Sequence, residues 1–224
     1  MPVEIQIKKL YDWALLPEKP RVDRIAAATE SDFLQQHFRF HRKFRYPEIC
    51  PPWVLGQEWG WHILSPISLN LTPLDDVQVA ADAQPEAAGR VLSVTEFWNR
   101  GEGYIAMRNN NWIKSFQYRN RGGAWEAMFL PNGAGTVEWH LGWAMKLPEE
   151  YLLLVTSLDD QGGLQVPTGM MTARQVNSTW DSTGISVAIR PLEQTRIERG
   201  QPFCRIAVVH RSCLQAKLQV VEPT

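Results

Sequence analysis

Hydrophobic and polar positions alternate most regularly across residues 133–155, GAGTVEWHLGWAMKLPEEYLLLV. Val137, Trp139, Leu141, Trp143 and Met145 share one parity, and Thr136, Glu138, His140, Gly142, Ala144 and Lys146 share the other. Period two is the signature of a strand with one face in a core. The pattern predicts a central strand with its odd face buried and Glu138 and His140 side by side on its even face. A turn at Pro148 and a second apolar run over residues 152–155 follow.

The same alternation recurs along the chain. Val3, Ile5 and Ile7 predict a first strand. Trp61, Ile63, Ile67, Leu69 and Leu71 oppose His62, Leu64, Ser68 and Asn70 in a strand bent at Ser65 and Pro66, because proline cannot donate to a ladder. Further strands are expected over residues 91–97, through Ile185, Val187 and Ile189, and through Ile206, Val208 and His210. A last one is expected through Leu214, Ala216, Leu218 and Val220. Turn chemistry marks residues 99–103, 109–111, 119–123, 159–163 and the Arg199-Gly200 pair. Residues 23–40 hold the one helix candidate, a short turn over 32–36 capped by Ser31, with Phe33 and Leu34 inward. Pro47, Pro51 and Pro52 break the chain, and residues 80–89 read as an exposed loop. Many short strands with Gly and Pro turns define an all-β class: a single domain over residues 1–224, sandwich-like or barrel-like, with one short helix.

Composition narrows the partners. A chain of 224 residues with 44% apolar content can bury a real core, and ten tryptophans are many for that length. A net charge of −1 gives no global field to attract nucleic acid or an acidic membrane. No apolar run reaches the length of a membrane span. The three cysteines, Cys50, Cys204 and Cys213, show no paired spacing, so reduced thiols and a cytoplasmic location are expected. Residues 37–46, HFRFHRKFRY, interleave aromatic and basic side chains. Base stacking with phosphate contacts would use such a stretch. With a neutral total charge, an edge strand carrying a solvated basic face is the stronger reading.

Several stretches resemble a family of bacterial proteins of uncharacterised function: GWHILSP at residues 60–66, NGAGTVEWHLGW at 132–143, LPEEYLLLVTSLDD at 147–160 and GQPFCRIAVVHR at 200–211. That resemblance sharpens the fold and brings no activity. Residues 147–209 also resemble the C-terminal part of dUTPase-like β-clip proteins. The shared features are a Pro-Glu-x-Tyr turn, a V-x-I strand and an I-x-x-G-x-P stretch before Arg205-Ile206. This implies a β-clip-like C-terminal half. It implies no nucleotide pyrophosphatase: Thr156 and Ser157 replace the family's Arg-Ser phosphate pair, Met170-Met171-Thr172 stands where the catalytic hairpin would be, and Val208 replaces the Gln after Arg-Ile-Ala.

The candidate chemistry centres on Glu138 and His140, two residues apart and about 7 Å along a strand. Both could reach one ion or substrate. His62 could complete a set of two histidines and one carboxylate, the kind that holds iron or zinc on β scaffolds. An ordinary polar sheet face outweighs that reading, since lone histidines are commonly structural. The tryptophans 59, 61, 98, 112, 125, 139, 143 and 180 exceed what one core needs. Trp61, Trp112 and Trp125 are therefore candidates to line an aromatic pocket. No Gly-x-Ser-x-Gly elbow is present, a His210–Cys213 pair lacks an electropositive site, and Gly133-Ala134-Gly135 precedes neither helix nor Lys. The expectation is a small-molecule-binding protein or enzyme of bacterial metabolism. Its pocket is polar and aromatic, His140 is general base or metal ligand, Glu138 orients it, and a divalent metal is a candidate cofactor. The alternative is a non-catalytic interaction or assembly module, including a homo-oligomer, with the basic segment and exposed tryptophans as its contact surface.

Overall fold

The computed structural model describes residues 3–39, 46–80, 85–94, 96–101, 103–109, 112–159 and 162–221. In chain order the elements begin with β1 (Gln6–Lys9), α1 (Arg24–His37), α2 (Pro51–Glu58), β2 (Trp61–Leu64), β3 (Leu69–Leu71) and β4 (Asp75–Ala80). Then come α3 (Pro85–Leu92), β5 (Phe97–Arg100), β6 (Gly103–Asn109), β7 (Gln117–Arg119), β8 (Trp125–Ala127) and β9 (Phe129–Gly133). The chain continues through β10 (Thr136–His140), β11 (Trp143–Lys146), β12 (Tyr151–Ser157), β13 (Leu164–Gln165) and β14 (Gly169–Thr172). It closes with α4 (Ala173–Ser178), β15 (Ser186–Pro191), β16 (Thr195–Ile197) and β17 (Pro202–His210). Strands dominate, and the fold is all-β. The two largest described sheets run β13-β15-β10-β9 and β14-β12-β17-β2, with a three-stranded sheet β4-β6-β5 beside them. Among the described residues no sheet closes into a barrel.

The alternating stretch that predicts one central strand is two strands in two sheets. β10 pairs with β9 and β15, whereas β11 pairs with β1. The switch falls at Gly142, whose φ of +74° suits glycine and whose missing Cβ lets the Trp13 ring lie against the backbone. The odd parity stays buried straight through: Val137, Trp139, Leu141, Trp143 and Met145 all lie in the main core. The even face departs from expectation. His140, Gly142 and Ala144 are buried too, because the chain turns there and neighbouring segments cover both sides. The core is strongly aromatic, with Trp139 stacked on Phe203 at 4.6 Å and edge-on contacts joining Trp112, Phe116 and Phe129.

The helices go beyond the single short one expected. α1 runs for 14 residues and is capped by the Asp23 side chain, which accepts from Ala26 N; Ser31 is buried inside the helix and caps nothing. Phe33 is 49% exposed and does not point inward. His37 ends α1, Phe38 is its C-cap, and residues 40–45 of the expected basic strand lie outside the described residues. Pro51 and Pro52 do not merely break the chain: they open α2, where a missing N–H costs nothing. The expected loop over 80–89 contains the start of α3, which also takes Val91 and Leu92 from the strand expected over 91–97. The expected last strand over 214–220 is absent. A 3₁₀ turn over Arg211–Gln215 leads into a segment that leaves Leu214, Leu218 and Val220 exposed. Of the turn expected at 109–111, Asn109 ends β6, and residues 110–111 lie outside the described residues.

Candidate functional site

β2 and β17 pair antiparallel, so His62 stands directly across from Arg205. The two side chains share a sheet face, and one Arg205 Nη lies 3.4 Å from His62 Nε2. Arginine has no acceptor, so any bond there is donated by Arg205 to an unprotonated ring nitrogen. Arg205 is only 9% exposed. Its Nη1 donates to the Gly56 carbonyl at 2.9 Å and its Nη2 to the Gln57 carbonyl at 3.2 Å, both in the last turn of α2. Those carbonyls have no partner within the helix, and a cation suits that end of its dipole. Arg205 Nε is buried without a hydrogen-bond partner. Burial and the Arg205 charge hold the His62 pKa below the ordinary histidine value.

These residues form one wall of a cleft of about 570 Å³. Trp53 of α2, Arg196 of β16, Asp159 and Gln201 contribute the rest of its polar and aromatic lining. Arg196 is engaged, with Nε 2.5 Å from Glu198 Oε1. The volume falls in the range of small-molecule sites, and aromatic, cationic and neutral polar groups converge there.

Glu138 and His140 occupy a second polar cluster. On β10 they face β15, where the Ser186 hydroxyl donates to Glu138 Oε1 at 2.6 Å; Arg100 lies 3.8 Å from Glu138 Oε2. His140 is 8% exposed, and its Nδ1 is buried without a partner. Burial is the larger influence and lowers the His140 pKa, against the opposing pull of Glu138 and Glu126. Glu126 accepts from the Tyr118 hydroxyl at 2.8 Å and from Asn120 Nδ2 at 2.6 Å, and these bonds hold its carboxyl below the usual range. Burial, with the Glu126 contact second, pushes the Tyr118 phenol up.

The structure keeps His62 apart from this pair: β2 and β10 belong to different sheets, and neither Glu138 nor His140 lines the His62 cleft. Among the described residues no group of three or more His, Cys, Asp or Glu side chains is placed to hold a metal ion. Of the expected aromatic residues, Trp112 is buried with its N–H bonded to the Thr72 carbonyl, and Trp61 is half-buried beneath the Lys19 ammonium. Trp125 is 65% exposed on β8, beside Arg119. None of the three lines the His62 cleft. Sequence reasoning missed Arg205 and Trp53 as site residues. A charged residue inside the apolar run FCRIAVV was the available signal for Arg205, since a buried arginine must find partners.

No family model and no curated protein matches the chain. Solved structures similar to it include the dUTPase of Staphylococcus bacteriophage 80alpha, 14% identical with a TM-score of 0.39 over 99% of this chain and 97% of that one. A mutant dUTPase from phage phi11 of S. aureus is 11% identical with a TM-score of 0.38 over 99% and 96%. At such values the architecture and chemistry of this chain rest on its own residues. Among the described residues no helix is long and apolar enough to cross a membrane.

Proposed function

We propose that the protein binds a small polar molecule in the cleft between α2, β2 and β17. The carrying observation is the convergence of His62, Arg205 and Trp53 on one cavity of about 570 Å³. Rigid paired strands hold two of those side chains, which favours a preformed site. The sequence-derived catalytic pair, Glu138 and His140, is not part of this lining, so this reading gives it no contact with the ligand. A thermal-shift screen of small polar metabolites tests the proposal. Compounds that raise the melting temperature of the wild-type protein should lose that effect in Trp53→Ala and His62→Gln. A set of hits untouched by both substitutions would move the site elsewhere.

A second reading, an assembly module, is favoured by one observation. The segment after the 3₁₀ turn keeps strand-like alternation while Leu218, Val220 and Val221 are 97%, 85% and 79% exposed. Light scattering on full-length chain and on a chain ending at Gln215 separates the readings. Loss of a higher oligomer on truncation supports assembly through this segment; an unchanged mass removes it.

A further inference from the structure

The cleft contains a charge that no described carboxylate compensates. Arg205 is nine-tenths buried, yet no described carboxylate lies within ion-pairing distance of its guanidinium. Burying a cation is costly unless an opposite charge or a full set of acceptors meets it. The two α2 carbonyls meet it in part. A helix C-terminus offers about half a charge at most, and one of eight residues offers no more than that. The Nε–H has no acceptor at all. The neighbouring groups do not supply the missing charge. His62 can only be neutral or cationic, Gln57 and Gln201 are neutral, and Arg196 adds a second guanidinium already joined to Glu198. Asp159, exposed in the lining, is the single carboxylate among these described residues.

With Arg196 paired to Glu198, the lining leaves one buried arginine without a carboxylate partner, beside a histidine and with Asp159 exposed, and such a site suits an anion. We infer that the ligand of this cleft carries an oxyanion, a carboxylate or a phosphate, which approaches Arg205 with the remainder of the molecule against Trp53. The inference rests on the cleft being the binding site. The anion would complete the charge balance that the α2 carbonyls begin, through charge-assisted hydrogen bonds, the stronger kind. Because His62 lies 3.4 Å from Arg205, a bound anion would also raise the His62 pKa, reversing the effect of the guanidinium.

The test is an NMR titration of the full chain with inorganic phosphate, with succinate, and with the uncharged diamide of succinate. The reporters are the Arg205 Nε–H and the His62 ring. Phosphate or succinate should shift both signals and raise the His62 pKa, and the diamide should do neither. Whichever anion binds more tightly assigns phosphate or carboxylate. Arg205→Gln should weaken that binding about tenfold or more. If that variant does not fold, the His62 titration in wild-type protein decides alone. Equal binding of the diamide, anion shifts confined to residues outside the cleft, or a His62 pKa unmoved by either anion would overturn the oxyanion assignment. Should neutral compounds from the thermal-shift screen still shift Trp53 and His62, the cleft stands and only the charge of its ligand is wrong. If no compound, charged or neutral, moves those residues, the site itself is wrong.

Discussion

At the scale of single residues, the buried His140 and the half-buried His62 make stability pH-dependent in one direction. His140 and His62 both have pKa values held below the ordinary 6.5, in each case chiefly by burial. A group whose folded pKa is depressed binds fewer protons folded than unfolded. Its contribution is full above about pH 6.5 and is lost as pH falls through the lower folded value. Glu58, Glu126, Glu198 and Asp181 are also depressed, so their contributions disappear at still lower pH. These carboxylates are solvated enough that each adds little. The urea midpoint should therefore drop between about pH 7.5 and pH 5.5, before the carboxylates titrate. His140→Gln should flatten that slope more than His62→Gln, since His140 is the more buried. A midpoint that does not change over this range, or a slope that survives both substitutions, would show that neither histidine is held neutral by folding.

At the scale of elements, α4 offers a clean local test. Thr172 accepts from Gln175 N while Gln175 Oε1 accepts from Thr172 N, a reciprocal cap at the start of a six-residue helix. Thr172→Ala should cost about 1 kcal/mol in a denaturation experiment. The expected direction is loss of stability with the fold retained, and an unchanged midpoint would mean that the helix is held by Ala173 and Val176 packing alone. This capping box stands in the sequence as Thr-Ala-Arg-Gln and could have been read there. Strands were the legible elements, because period two survives in any sheet with one buried face. What alternation cannot report is pairing. Residues 136–146 alternate without interruption although Gly142 moves the chain from one sheet to another, and residues 214–220 alternate without forming a strand. Helices α2 and α3 were hidden by their prolines, which end helices in the interior but begin them at the first turn. The site was legible to the same degree. His62, Glu138 and His140 stood out as titratable residues on strand faces. That His62 meets Arg205 and not His140 depends on β2 docking on β17, a contact between residues some 140 positions apart in sequence.

At the scale of the molecule, the apolar interior is divided unequally, and the candidate site sits on the stronger part. The main cluster includes residues of β10, β11, β12, β15 and β17, whereas Val79, Val94 and Ala106 form a small separate cluster with Ala88 and Leu92 of α3 packed against it. β12 and β17 are each paired on both edges and join over seven residue pairs, from Tyr151–His210 to Ser157–Cys204. Local opening should follow this division, since free energies of opening rise with buried contact and paired backbone. In native-state hydrogen exchange, amides of Leu153 and Ile206 should therefore be among the slowest, and those of α3 faster by at least about tenfold. The wall of the cleft made by β2 and β17 belongs to the slow sheet. α2, bonded to Arg205 through its last carbonyls, also borders the cleft through Trp53 and Gln57, and Val54 is its buried residue. A ligand that binds across the cleft stabilises the closed form by its binding free energy, so it should slow exchange most in α2, where opening is otherwise easiest, and least in β17. Exchange in α3 as slow as in β17 would show that the two clusters open as one unit. A ligand that protects α3 in preference to α2 would place its site on the β4-β6-β5 side of the molecule.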